Sequence, residues 1–119
     1  MKLKANFLTI LKGNSLIVIL IREDKKVFFN FGDETWIDFD KLGKLNIKNK
    51  RYKEYIESPK FKKQYKETEN IIKKSKDYLE ITEKFKKDFR KDRSNKITIN
   101  PAELEVKDNA WRYVWWVWR

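Results

Sequence analysis

The chain opens on a period of two. From Lys2 to Lys12 it alternates, with Leu3, Ala5, Phe7, Thr9 and Leu11 on one face, which predicts a strand. Gly13-Asn14 is a two-residue hairpin signal. Leu16 to Ile21 is apolar on both faces and rich in β-branched residues, as a central strand requires. Glu23-Asp24-Lys25 predicts a second turn, Lys26 to Phe31 a third strand, and Gly32-Asp33 a third turn. A fourth strand is expected over Glu34 to Phe39, with Ile37 and Phe39 facing one way and Trp36 and Asp38 the other.

The period then changes. A polar connector covers Asp40 to Lys50, and a short helix is expected from Arg51 to Glu57, with Tyr52, Tyr55 and Ile56 inward. Ser58-Pro59 reads as a helix start, Ser at the N-cap and Pro at the first helical position. Phe61, Tyr65, Thr68, Ile72, Ser75, Leu79 and Thr82 then step by four and three, and Ile71, Tyr78, Phe85 and Phe89 widen that stripe. The unbroken stripe favours one helix over 59–92, about 50 Å long. A break at Lys74-Ser75-Lys76-Asp77 would give a helical hairpin instead. After it the chain returns to strands: Lys96 to Asn100, a turn at Asn100-Pro101, Glu103 to Lys107 with Leu104 and Val106 inward, and Trp111 to Trp118. The expected architecture is α+β and a single domain over 1–119. A four-stranded antiparallel β-meander (1–40) is followed by an inserted basic helical segment (51–92). Two or three C-terminal strands (96–118) complete the sheet.

Charge sharpens this division. The net charge is +11. Residues 1–43 carry seven Lys/Arg against six Asp/Glu, residues 44–96 nineteen against nine, and residues 97–119 three of each. Nearly all the excess falls on the central segment 44–96, as an electrostatic footprint would. On a helical wheel Lys62, Lys63, Lys66, Lys73, Lys74, Lys76, Lys84, Lys87 and Lys91 lie broadly opposite the apolar stripe, sharing their band with Glu69, Asp77, Glu80 and Asp88. With Arg90 and Arg93 they form a net positive ribbon suited to phosphate backbones. The same residues would equally make a solvated outer helix face.

The last strand adds aromatics. Trp111, Tyr113, Trp115 and Val117 would share one face, and Arg112, Val114, Trp116 and Trp118 the other. Burial against an apolar layer accounts for the first face. Trp116 and Trp118, flanked by Arg112 and Arg119, would make a stacking platform or a protein-binding hot spot.

Other chemistry is bounded tightly. The chain has no Cys and no His. Disulfides, Cys- or His-based zinc sites, and Ser–His or Cys–His nucleophiles are therefore excluded. Asp33, Glu34, Asp38 and Asp40, with Glu105-Val106-Lys107, are the one pattern resembling a carboxylate–Lys, Mg²⁺-dependent nuclease or toxin. Their alternative role is edge-strand and turn charge. No cofactor is expected. The stretch from Phe7 to Leu20 is interrupted by Lys12-Gly13-Asn14-Ser15 and lacks a small-residue cleavage site, so neither a signal peptide nor a membrane span is expected, and the location is read as cytoplasmic.

In size and composition the chain resembles the small phage-borne proteins that disarm bacterial defence, such as anti-CRISPR proteins. That resemblance implies a non-catalytic inhibitor that grips guide RNA or the RNA-guided nuclease. The partner class expected is nucleic acid, RNA favoured, or a nucleic-acid-binding enzyme complex. A general RNA or single-stranded DNA binder is the alternative. A structural coiled coil is a weaker reading, because Thr68, Ser75 and Thr82 would weaken its seam.

Overall fold

Leu8 and Ile10 on the first strand, Ile19 and Ile21 on the second, and Val27 and Phe29 on the third are all buried in one cluster. They form one face of an antiparallel sheet, which on the first strand is the face opposite the one that carries Leu3, Ala5 and Phe7. The computed structural model describes residues 1–30, 36–41, 57–107 and 110–114, and for residues 41, 61, 107 and 110–114 the backbone alone. Its strands are β1 (Lys2–Lys12), β2 (Ser15–Arg22), β3 (Val27–Asn30), β4 (Ile37–Asp38), β5 (Lys96–Lys107) and β6 (Ala110–Val114). Their order across the sheet is β4-β3-β2-β1-β5-β6. Two helices, α1 (Pro59–Lys74) and α2 (Tyr78–Phe89), lie between β4 and β5 in sequence. The architecture is therefore α+β, with β1 and β2 central as their two-sided apolar content requires.

The β1–β2 hairpin closes as Lys12 pairs with Ser15. Gly13 has φ +58 and Asn14 has a negative φ, the arrangement of a type II′ turn, which needs Gly at its first central position. The opposite sheet face gathers Ala5, Phe7, Leu20, Ala102, Leu104 and Val106, with Leu3, Val18, Phe28 and Trp36 packed against them. Trp36 and Phe7 meet with ring centroids 5.8 Å apart. Ile37 and Phe39 belong to the first face and Trp36 to the second, as the alternation requires.

Three elements differ from expectation. The fourth strand, expected over Glu34 to Phe39, covers Ile37–Asp38 among the described residues and gives way to a 3₁₀ turn over Phe39–Lys41, while residues 34 and 35 and the turn expected at Gly32-Asp33 lie outside those described. The Asp38 carboxylate accepts from the Asp40 backbone N–H at 3.0 Å, a local bond that competes with the ladder. The turn expected at Asn100-Pro101 is absent, and β5 runs through it with Pro101 opposite Asn6. The Val106 N–H donates to Met1 on the β1 side. Strict alternation therefore points the Pro101 nitrogen away from β1, where its missing N–H costs no bond to β1. Third, the single long helix is broken. Asp77 caps α2, its side chain accepting from the Glu80 N–H at 2.9 Å, while Glu80 reaches back to the Lys76 N–H at 3.0 Å. That reciprocal pair is a capping box shifted by one residue. Buried Ser75 closes α1 by donating its hydroxyl to the Ile71 carbonyl at 2.5 Å. Of the short helix expected from Arg51 to Glu57, residues 51–56 lie outside those described, as do Trp115 to Trp118 of the last strand.

The break re-phases the apolar stripe. Leu79, expected inward, is 53% exposed, while Ile81, which the stripe omitted, is fully buried with Phe85. Substituting Ile81 with Ala is expected to cost about 3 kcal/mol and Leu79→Ala under about 0.5 kcal/mol, measured by chemical denaturation. A continuous helix with Leu79 on its stripe would reverse that order. Asp77→Ala should cost about 1 kcal/mol through the lost cap.

Candidate nucleic-acid interface

The two helices differ in how deeply they sit. α2 contributes buried Ile81, Thr82 and Phe85 to the core. α1 contributes only partly buried Tyr65, Ile71 and Ile72, and none of its described side chains is fully buried. Tyr65 stacks on Phe39 at 4.5 Å and directs its hydroxyl to the Phe39 carbonyl at 3.4 Å. Burial, followed by the Glu69, Asp40 and Asp38 carboxylates, raises the Tyr65 hydroxyl above its ordinary pKa. Asp38 and Asp40 thus lie near the underside of α1. α1 is the outer helix, with its far face turned away from the sheet.

The helices differ equally in charge. α1 carries six Lys against two Glu, whereas α2 carries three Lys against Glu80, Glu83 and Asp88. On α2 the ribbon residue Lys84 is tied to Glu80 at 3.1 Å. The Glu80 carboxyl is held below its usual range by the Lys76 N–H and then by Lys84. Lys87 and Arg90 line an open depression of about 370 Å³ with Glu80, Glu83, Lys84 and Lys86, a surface of mixed sign. After α2, Lys91 pairs with Asp88 at 3.4 Å, and Arg93 is exposed. The ribbon read as continuous is therefore split, and its concentrated part is α1.

At about 100° per residue, Lys62, Lys73, Lys66, Asn70, Lys63 and Lys74 occupy an arc of roughly 120° on α1. Only Pro59 shares that arc, and Glu67 and Glu69 stand just outside it on either side. All six side chains are exposed. Lys73 meets Glu69 at 3.5 Å, an exposed pair worth only about 0.3–0.5 kcal/mol. Among the described residues Lys62, Lys63, Lys66 and Lys74 have no ion-pair partner within 4.0 Å.

The first turn of α1 contains no acidic residue. It carries Lys60 and Lys62, with Lys63 following. Cations at a helix N-terminus oppose its dipole, typically by about 0.3–1 kcal/mol each. The lysines at this end therefore work against the stability of the helix that carries them. Asp77 and Glu80 at the start of α2 do the opposite.

The remaining candidates do not join this arc. Lys76 lies in the break between the helices, exposed. Arg112 belongs to β6, its backbone opposite Glu105, and Trp116, Trp118 and Arg119 lie outside the described residues. Of the acidic set, Asp33 and Glu34 also lie outside them. Asp40 pairs with Lys26 at 3.3 Å and Glu105 with the N-terminal amine at 3.5 Å. Three strands separate β4 from β5, which places Asp38 and Glu105 about 19 Å apart across the sheet. They cannot share a metal ion. Among the described residues no group of three or more carboxylates is placed to hold one, and no helix is long and apolar enough to cross a membrane.

No family model, curated protein or solved structure matches the chain.

One ion pair ties the end of the helical segment to the sheet. Lys12, at the end of β1, meets Asp92 at 2.6 Å. Hydrogen bonds from Lys12 and then Ser94 hold the Asp92 carboxyl well below its ordinary value of 3.8. A depressed folded-state pKa stabilises above the ordinary value, and that contribution fades as pH falls through it. Between about pH 5 and pH 3, Asp92→Asn should therefore lose less thermal stability than the parent protein, measured as Tm at matched salt. Equal losses would assign the acid sensitivity to other groups.

Proposed function

We propose that this chain is a non-catalytic nucleic-acid-binding protein whose contact surface is the outer face of α1. The single observation that carries the reading is the acid-free arc of five exposed lysines and Asn70 on a shallowly seated helix. Such a face binds phosphates by displacing condensed counterions. Its first turn places cations against the helix dipole, a cost with no return in the free protein and a gain once phosphates arrive. Lysine, with no Arg on α1, gives point-charge contacts in place of forked ones.

The inhibitor role, in which the chain grips guide RNA or the RNA-guided nuclease, is one use of this surface, and general RNA or single-stranded DNA binding is another. A dedicated inhibitor binds one nucleoprotein far more tightly than any free oligonucleotide, whereas a general binder holds many oligonucleotides alike.

The test is a salt titration of affinity for fluorescently labelled oligonucleotides. Replacing Lys62, Lys66 and Lys73 with Ala should make the slope of log K against log salt shallower by about 2–3. The same replacements at Lys84, Lys87 and Lys91 should change it by less than about 1. Equal effects from both sets, or no binding to any nucleic acid, would contradict the assignment.

A further inference from the structure

The arc on α1 has an internal order. Its centre line runs between Lys66 and Asn70, each about 20° from it, with Lys62 and Lys73 on one flank and Lys63 and Lys74 on the other. Two cations therefore stand on each side of a central Lys–Asn pair. We propose that α1 enters the major groove of B-form duplex DNA, with the flanking lysines on the phosphates of the two strands and Asn70 reading an adenine. This inference rests on the nucleic-acid reading above and narrows it.

Three physical matches support it. A helix with side chains is about 10–12 Å across, and the B-DNA major groove is about 12 Å wide. The A-form RNA major groove is too deep and narrow to admit one. Entry requires a helix whose outward face is unobstructed. α1 meets this, since none of its described side chains is fully buried and the six arc residues are all exposed. Asn70 and Lys66 are one turn apart, about 6 Å along the axis, close to two base-pair steps of 3.4 Å. An Asn amide offers the donor–acceptor pair that matches adenine N6 and N7, and a Lys ammonium donates to guanine O6 and N7. Asn70 is also the one uncharged residue among the six of the arc, so it contributes nothing to the electrostatic attraction.

The experiment compares duplex DNA, duplex RNA, and single-stranded DNA and RNA of one length at one salt concentration. A selection from random duplex DNA follows. Duplex DNA should bind at least about tenfold tighter than duplex RNA, and the selected site should contain a fixed adenine. Asn70→Ala, a helix-favouring change at an exposed position, should reduce the preference for that adenine about tenfold. Affinity for unrelated duplexes should stay within about twofold, because the flanking phosphate contacts remain. Replacing that adenine with 7-deazaadenine should cost the parent protein a similar factor and Asn70→Ala nothing further. Tighter binding to RNA or single strands would overturn the groove assignment while leaving nucleic-acid binding intact. So would an unchanged preference in Asn70→Ala. Failure to bind any of the four probes would overturn both.

Discussion

The architecture turns on the seating of α2 against β1 and β2. Ile81 and Phe85 enter the apolar layer formed by Leu8, Ile10, Ile19 and Ile21. Beside them a buried polar contact crosses the interface: the Asn6 amide donates to the Thr82 hydroxyl at 3.2 Å, and that hydroxyl donates to the Tyr78 carbonyl at 2.8 Å. Apolar burial is non-directional and sets no helix register by itself. A satisfied hydrogen bond in a dry layer does, because every slipped register strands a polar group at about 1–3 kcal/mol. Asn6 and Thr82 thus fix which turn of α2 faces which strand.

Once α2 is fixed, α1 packs over it at the edge of the same core. The break at Ser75–Asp77 lets the inner helix keep its own phase, with Ile81 in and Leu79 out. The outer helix then needs only a shallow seat, through Tyr65, Ile71 and Ile72. Among the described residues none of its side chains is fully buried, and its first turn opposes its own dipole. The capping bonds of α2 contrast with the acid-free, lysine-rich first turn of α1. The positive charge follows that contrast, concentrated on α1 and balanced on α2.

Much of this was legible in the chain. Alternation in Leu3–Leu11 identified a strand, the two-sided apolar run Leu16–Ile21 a central one, and Gly13-Asn14 the hairpin, because side-chain period and turn chemistry are local properties. The helix break was not legible from periodicity, since Ser75 and Thr82 kept the stripe unbroken on a wheel. The readable signal was Asp77 three residues before Glu80, a cap inside an apparently continuous helix. Pro101 misled in the opposite direction. Its tolerance depends on which way one nitrogen points within a pleated ladder, and that follows from pairing with β1, a long-range fact. The basic segment was evident from composition, but the contrast between a strongly positive α1 and a balanced α2 required the break. The two carboxylate groups that looked like a metal site were separated only by strand order.

The central claim is that binding and folding reside on different helices, with α1 the contact surface and α2 the anchor. Amide and lysine side-chain NMR spectra of the whole chain, recorded with increasing amounts of a short duplex, test it most directly. The account predicts shifts concentrated on Lys62, Lys63, Lys66, Asn70, Lys73 and Lys74, with Ile81, Thr82, Phe85 and Asn6 unmoved. Shifts centred on α2 or on the sheet, with the α1 lysines unaffected, would contradict it.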